Sequence, residues 1–264
     1  MHLKVTQAGQ GVQWVRAGLR TFWRQPLALG GLFFLFIGLA SVLAYIPTVG
    51  SLAALVVLPA VTLGLMNATR LAASGQFPMP SVLFAAFMQG KDKAAAMLQL
   101  GGWYTVLFLL SIAATMLADG GTFAGVYLFG DEITAEMVQD PGFQTAAWVS
   151  MLFYVPLSAL FWYAPALVFW HDVSPGKSLF FSLTAFWRHK AAMLVFALTW
   201  MGVFLAASVG VTMLTLLMGG GAFGMLVAPV ALLLAAMLFV SVYFTYLDAF
   251  EEAVPPPAPQ QPAS

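Results

Sequence analysis

The 264-residue chain contains no cysteine, which excludes a disulfide framework, thiolate metal sites and cysteine nucleophiles. Charge is almost as scarce. Asp, Glu, Lys and Arg occupy 8% of positions, about a third of the share in a soluble domain. The three histidines, His2, His171 and His189, are too scattered to suggest a metal cluster. No Ser/His/Asp set, H-E-x-x-H pair or intramembrane aspartate pair is present, so intramembrane hydrolysis has no residues to carry it. The long apolar runs also lack ionisable residues in their middles, where proton relays and ion-coupled carriers place them. The expectation is a protein that is not an enzyme and that holds no cofactor, metal or nucleic acid.

What the chain has is apolar length. Hydrophobic residues make up 61% of it, and six runs stand out, at 27–46, 52–71, 95–118, 145–170, 191–218 and 222–247. Crossing a ~30 Å hydrocarbon core takes about 20 helical residues. The runs are continuous rather than alternating, which excludes lipid-exposed strands. The fold class predicted is all-α, a polytopic membrane protein with six transmembrane helices. The last two runs exceed a perpendicular crossing, so tilt or protruding ends are expected. The polar residues 1–11 and the five runs after the first argue against a cleavable signal. A single membrane domain then covers 1–247. Residues 248–264, with Glu251-Glu252 and Pro255-Pro256-Pro257-Ala258-Pro259, read as a disordered proline-rich cytoplasmic tail.

The net charge of zero hides a segregation of sign. All ten basic residues fall on one side of a six-span layout. Lys4, Arg16, Arg20 and Arg24 precede the first run; Arg70, Lys91 and Lys93 separate the second and third; Lys177, Arg188 and Lys190 separate the fourth and fifth. The opposite side holds Asp119, Asp131, Glu132, Glu136 and Asp140. Positive charge inside predicts both termini in the cytoplasm. Trp14, Trp23, Trp103, Trp170 and Trp187 fall near the predicted interfaces.

One stretch recurs. Leu19-Arg20-Thr21-Phe22-Trp23-Arg24 lies before the first run, and Leu183-Thr184-Ala185-Phe186-Trp187-Arg188 before the fifth. A weaker copy, Ala85-Ala86-Phe87-Met88-Gln89, lies before the third. The chain therefore reads as three units, 12–71, 80–170 and 178–247, each a helical hairpin preceded by a cytoplasmic-side interfacial amphipathic helix. In 12–25 the apolar Val12, Val15, Leu19 and Phe22 follow helical spacing, while Arg16, Arg20 and Arg24 recur every fourth residue. Such a helix can lie in the headgroup layer with its guanidinium groups on phosphates; the alternative is a plain extension of the first span. Arg16, Arg20, Phe22, Trp23, Arg24, Phe186, Trp187 and Arg188 are the candidate anchoring residues, with anionic lipid headgroups as partner. Each even-numbered run contains proline: Pro59, Pro156 with Pro165, and Pro229.

Three further patterns have a structural and a functional reading. Gly219-Gly220-Gly221-Ala222-Phe223-Gly224 matches G-x-G-x-x-G but follows no strand, so a hairpin turn is expected. His171-Asp172 could bind a headgroup or move a proton, or could simply cap a span end. Glu132, Glu136 and Asp140 could line one helix face and hold a hard cation, or face solvent.

The six-span layout, the two Phe-Trp-Arg stretches and the run 64–75 with Asn67-Ala68-Thr69-Arg70-Leu71 resemble an uncharacterised group of proteobacterial six-span inner-membrane proteins, across residues 10–250. The layout is more loosely similar to the membrane domain of bacterial glycerophosphodiester phosphodiesterases. No catalytic residue carries over from that similarity. What the resemblance implies is a multi-pass protein of the bacterial inner membrane associated with lipid or envelope processes. The function expected is a scaffold, modulator or lipid-associated protein; the alternative is an exporter or facilitator of an apolar or amphipathic solute.

Overall fold

In a hydrocarbon solvent the backbone must satisfy its own N–H and C=O groups, and a long apolar run does this by coiling. The computed structural model describes residues 7–46, 49–217 and 223–250, and their regular structure is entirely helical. A first helix, α1 (Gln10–Arg24), ends at Gln25, and Pro26 opens α2 (Pro26–Ala44) at a position where its missing N–H costs nothing. Helix α3 (Val49–Ala73) follows, then a 3₁₀ turn at Pro80–Phe84 and a single turn, α4 (Ala85–Met88). The long α5 (Lys91–Asp119) stops at Gly120, whose positive φ suits a helix end.

Two short helices, α6 (Thr122–Phe129) and α7 (Ala135–Gln139), lead to α8 (Pro141–Phe161) and α9 (Ala164–His171). Then come α10 (Pro175–Arg188), α11 (Lys190–Leu217) and α12 (Phe223–Phe250). Six helical stretches are long and apolar enough to cross a membrane: α2, α3, α5, α8 with α9, α11 and α12. They coincide with the six apolar runs.

The fourth stretch is broken where the other five are continuous. Pro165 has no N–H to give and its ring crowds the carbonyl of Phe161, so the ladder opens at Trp162 and Tyr163. In an unbroken helix the Tyr163 N–H would bond the Ala159 carbonyl. Here the Ser182 hydroxyl of α10 stands between them, accepting from Tyr163 N–H at 3.0 Å and donating to Ala159 O at 2.8 Å. Pro59, Pro156 and Pro229 lie within helices that continue through them.

The C-terminal boundary also moves. Helix α12 runs through Asp248, Ala249 and Phe250, three residues past the expected start of the tail, because those residues are packed: the indole Nε1 of Trp14 donates to Asp248 Oδ2 at 2.8 Å. The proline-rich remainder, the basic residue Lys4 and the turns at 47–48 and 219–222 lie outside the described residues.

Packing follows a cyclic order. Helix α10 lies on α8 and α9, and the 3₁₀ turn with α4 lies on α3 and α5. Helix α1 has no pair of spans before it and lies on the last pair, α11 and α12. Glycine permits the closest of these approaches. A Cβ added to Gly18 would come within 2.7 Å of Ser241 Cα, and one added to Gly64 within 2.6 Å of Leu83 Cα.

Two of the acidic residues in 119–140, Asp119 and Asp140, cap helix starts. Asp119 accepts from the N–H groups of Gly121 and Phe123 at 2.9 and 2.6 Å, and Asp140 accepts from Phe143 N–H at 2.8 Å. A carboxylate does this well because the first amides of a helix have no internal partner. Glu132, Glu136 and Asp140 therefore do not share a helix face: Glu132 precedes α7, Glu136 lies in its first turn and Asp140 begins α8.

Candidate functional site

Helix α1 is divided sharply between its two faces. Gly11, Trp14, Val15, Gly18, Thr21 and Phe22 are buried, whereas Arg16, Arg20, Trp23 and Arg24 are exposed. The buried face meets α11 and α12, with Trp14 edge-on to Phe196 at 6.1 Å. The three guanidinium groups then share the opposite side, as four-residue spacing requires.

The recurring Phe-Trp-Arg stretch resolves residue by residue. Phe22 is fully buried, so its part is to hold α1 on the bundle, and the expectation that it touches lipid is corrected. Trp23 beside it is 63% exposed, edge-on to Phe22 at 5.9 Å. In the second copy Phe186 turns inward, edge-on to Trp162 at 6.1 Å, while Trp187 is 67% exposed and Arg188 is exposed. The Lys190 ammonium lies 5.0 Å from the Trp187 ring centre, an attraction worth about 0.5–1 kcal/mol at an exposed site. In the weak copy Phe87 is half-buried and Met88 is 69% exposed. In all three copies, then, the phenylalanine points in and its successor points out.

A second basic and aromatic cluster joins helix ends that are far apart in sequence. Arg70, near the end of α3, lies over the Trp170 ring at 5.4 Å. Lys93, at the start of α5, reaches across to donate to Phe169 O at 2.7 Å, and lies 3.2 Å from Asp172 Oδ1. His171 Nε2 is 2.7 Å from the Tyr246 hydroxyl of α12. The neighbouring residues His171 and Asp172 thus serve different helices: one ties α9 to α12, the other ties it to α5. Asp172 has φ 52°, a left-handed conformation that ends α9 and turns its carboxylate outward. Apart from the His171-Asp172 pair, no sequence pattern marked this cluster, because its members are brought together only by folding.

Helix α12 presents a polar line to three tryptophans. Trp200 Nε1 donates to Ser241 Oγ at 3.0 Å, Trp162 Nε1 to Thr245 Oγ1 at 3.0 Å and Trp14 Nε1 to Asp248 Oδ2 at 2.8 Å. Ser241, Thr245 and Asp248 follow i, i+4, i+7 spacing, one helix face. Their indoles come from α11, the α8–α9 break and α1.

Where the proline-containing spans meet there is a cavity of about 300 Å³, open on the side of the half-exposed Tyr154. Leu58, Pro59 and Thr62 come from α3, Tyr154, Ser158 and Phe161 from α8, and Leu238, Phe239 and Val242 from α12. Tyr104 of α5, Trp162 of the break and Pro165 of α9 complete the wall.

Over 255 residues the chain is 34% identical to a "probable inner membrane protein" of Burkholderia thailandensis, an alignment spanning 95% of this chain and 94% of that protein. No family model matches the chain, and no solved structure does.

Proposed function

The chain belongs to the family of that Burkholderia thailandensis inner membrane protein, and from this premise we propose that it is a non-enzymatic, lipid-associated scaffold or modulator of the bacterial envelope. Membership and six apolar helices make it a multi-pass inner-membrane protein. In the reading proposed, both termini are cytoplasmic and α1, α4 and α10 lie in the headgroup layer ahead of three hairpins. The arginines then meet the anionic lipids of the inner leaflet.

The observation that supports this reading is the inward phenylalanine and outward tryptophan repeated at Phe22-Trp23 and Phe186-Trp187, each followed by an exposed arginine. Tryptophan favours the headgroup depth and arginine the phosphate beside it. The test is the triple variant Arg16→Gln, Arg20→Gln, Arg24→Gln in nanodiscs of mixed phosphatidylglycerol and phosphatidylcholine. Each basic residue near an anionic surface contributes about 1 kcal/mol, so retention of phosphatidylglycerol in the lipid shell should fall clearly. Equal retention by the variant would overturn the reading.

The cavity favours a second reading, a facilitator for an apolar or amphipathic solute, because all three proline-containing spans meet around it. Saturable flux of such a solute into proteoliposomes would support that reading over the scaffold.

A further inference from the structure

The cavity between α3, α8 and α12 has walls of two chemical kinds. Leu58, Phe161, Leu238 and Val242 are apolar, but Tyr104, Tyr154 and Ser158 carry hydroxyls that make no hydrogen bond to a described residue. Tyr104 is the telling one, because its ring is buried while its hydroxyl opens onto the cavity. Its ring is held by Phe108, stacked at 6.2 Å, and by Phe161, edge-on at 5.2 Å. A buried phenol normally has a partner, since leaving its hydroxyl unmade in an apolar setting costs about 1–3 kcal/mol. Other hydroxyls illustrate this: Thr62 of the same wall donates to Leu58 O, and elsewhere Thr105 donates to Gly101 O and Tyr163 to Thr245 O.

We propose that this cavity is a binding site for an uncharged amphipathic molecule, a hydrocarbon chain bearing one neutral hydroxyl or carbonyl, whose oxygen is held by Tyr104 with Tyr154 and Ser158. Neutrality follows from the wall. No Asp, Glu, Lys or Arg lines the cavity, so a charged head would be left unpaired in a low-dielectric setting. Depth points the same way. Leu238 and Val242 lie about 12–18 Å from the Phe250 end of α12 at 1.5 Å per residue, well inside the hydrocarbon layer. Such depth suits a molecule that partitions wholly into the bilayer, and an ordinary phospholipid head would not follow it there. The cavity is at the small end of ligand pockets, about 300–1,000 Å³, so it holds the head and the first part of the chain while the rest extends between helices. The inference rests on the cavity that motivates the facilitator reading, but it concerns binding and needs no flux.

The test uses the full chain in nanodiscs and two photoreactive probes of equal length, a diazirine-bearing hexadecanol and a diazirine-bearing hexadecane. Crosslinks are mapped by mass spectrometry with unlabelled hexadecanol as competitor. The alcohol should label the segment around Phe161 and Trp162 saturably, and excess hexadecanol should abolish that labelling. The alkane should label it weakly and without saturation. Tyr104→Phe removes only the oxygen and should weaken alcohol binding about three- to tenfold while leaving alkane labelling unchanged. Ser158→Leu should fill the cavity and reduce labelling by both probes. Equal, unsaturable labelling by alcohol and alkane would overturn the proposal, as would an unchanged alcohol affinity in Tyr104→Phe. Saturable binding without flux would leave this site standing and remove the facilitator reading.

Discussion

At the residue scale, Ser241, Thr245 and Asp248 give α12 acceptors for three tryptophans from other helices. Trp14 meets Asp248 across 234 positions of sequence, and an indole offers one donor and nothing else. Trp14→Phe keeps most of the apolar area and deletes that donor. Hydrogen bonds to charged groups contribute about 1.5–3 kcal/mol, so thermal unfolding in detergent should come several degrees earlier. Asp248→Asn retains an acceptor oxygen and should cost less than Trp14→Phe; the reverse order would show that the carboxylate acts in some other way. Position matters here more than residue type. Trp23 and Trp187 face outward and donate to no described residue, while Trp14, Trp162 and Trp200 face inward and all find α12. The sequence showed tryptophans near helix ends, but the acceptors Ser241, Thr245 and Asp248 stood in a region that read only as apolar and then as tail.

At the element scale, the repaired break in the fourth span and the glycine contacts of α1 give opposite kinds of prediction. Ser182 completes a hydrogen-bond ladder that Pro165 interrupts. Ser182→Ala should leave the Tyr163 N–H and the Ala159 carbonyl without their bridge and lower stability by about 1–3 kcal/mol, read from chemical or thermal denaturation. Pro165→Ala should permit a continuous α8–α9 helix and reduce the dependence on Ser182, so the double variant should lose less than the sum of the single losses. Strict additivity would show that Pro165 does not open the ladder. Gly18 is limited by space instead: any side chain there meets Ser241 of α12. Gly18→Val should displace α1 at a cost of about 1–3 kcal/mol, visible as faster proteolysis near Gln10–Arg24. The six spans were legible because apolar length alone specifies a crossing helix. The fracture at Trp162 and Tyr163 was legible only as a proline, since the choice between kink and break depends on whether a hydroxyl from α10 can reach the open carbonyl. The glycine contacts were not legible, because a glycine inside a helix looks the same whether it faces lipid or another backbone.

At the scale of the whole molecule, charge and packing describe the same polarity by different means. The helix ends carrying Arg70, Lys93 and His171 are tied to one another through Trp170, Asp172 and Tyr246. Gln25 at the start of α2 donates to Gln76 O beyond α3, and Trp14 ties α1 to the far end of α12. The starts of α2 and α5 and the ends of α3, α9 and α12 thus gather at one end. The acidic caps Asp119 and Asp140 mark the other. Basic residues resist translocation, whereas acidic ones have little influence on orientation, so the basic end should face the cytoplasm. The chain is well suited to a direct measurement because it has no cysteine, and any introduced thiol reports without background. Gln13 of α1 and Gln139 of α7 are both exposed and lie at opposite ends. In cells whose outer membrane has been made permeable, a membrane-impermeant maleimide should label Gln139→Cys at once. Gln13→Cys should react only after the inner membrane is disrupted. The opposite pattern would place the arginine stripe of α1 in the periplasmic leaflet, and the lipid it meets there would have to be argued afresh. Equal labelling of both positions in intact inner membranes would mean that the chain inserts in both orientations, which the described basic residues gathered at one end should make costly.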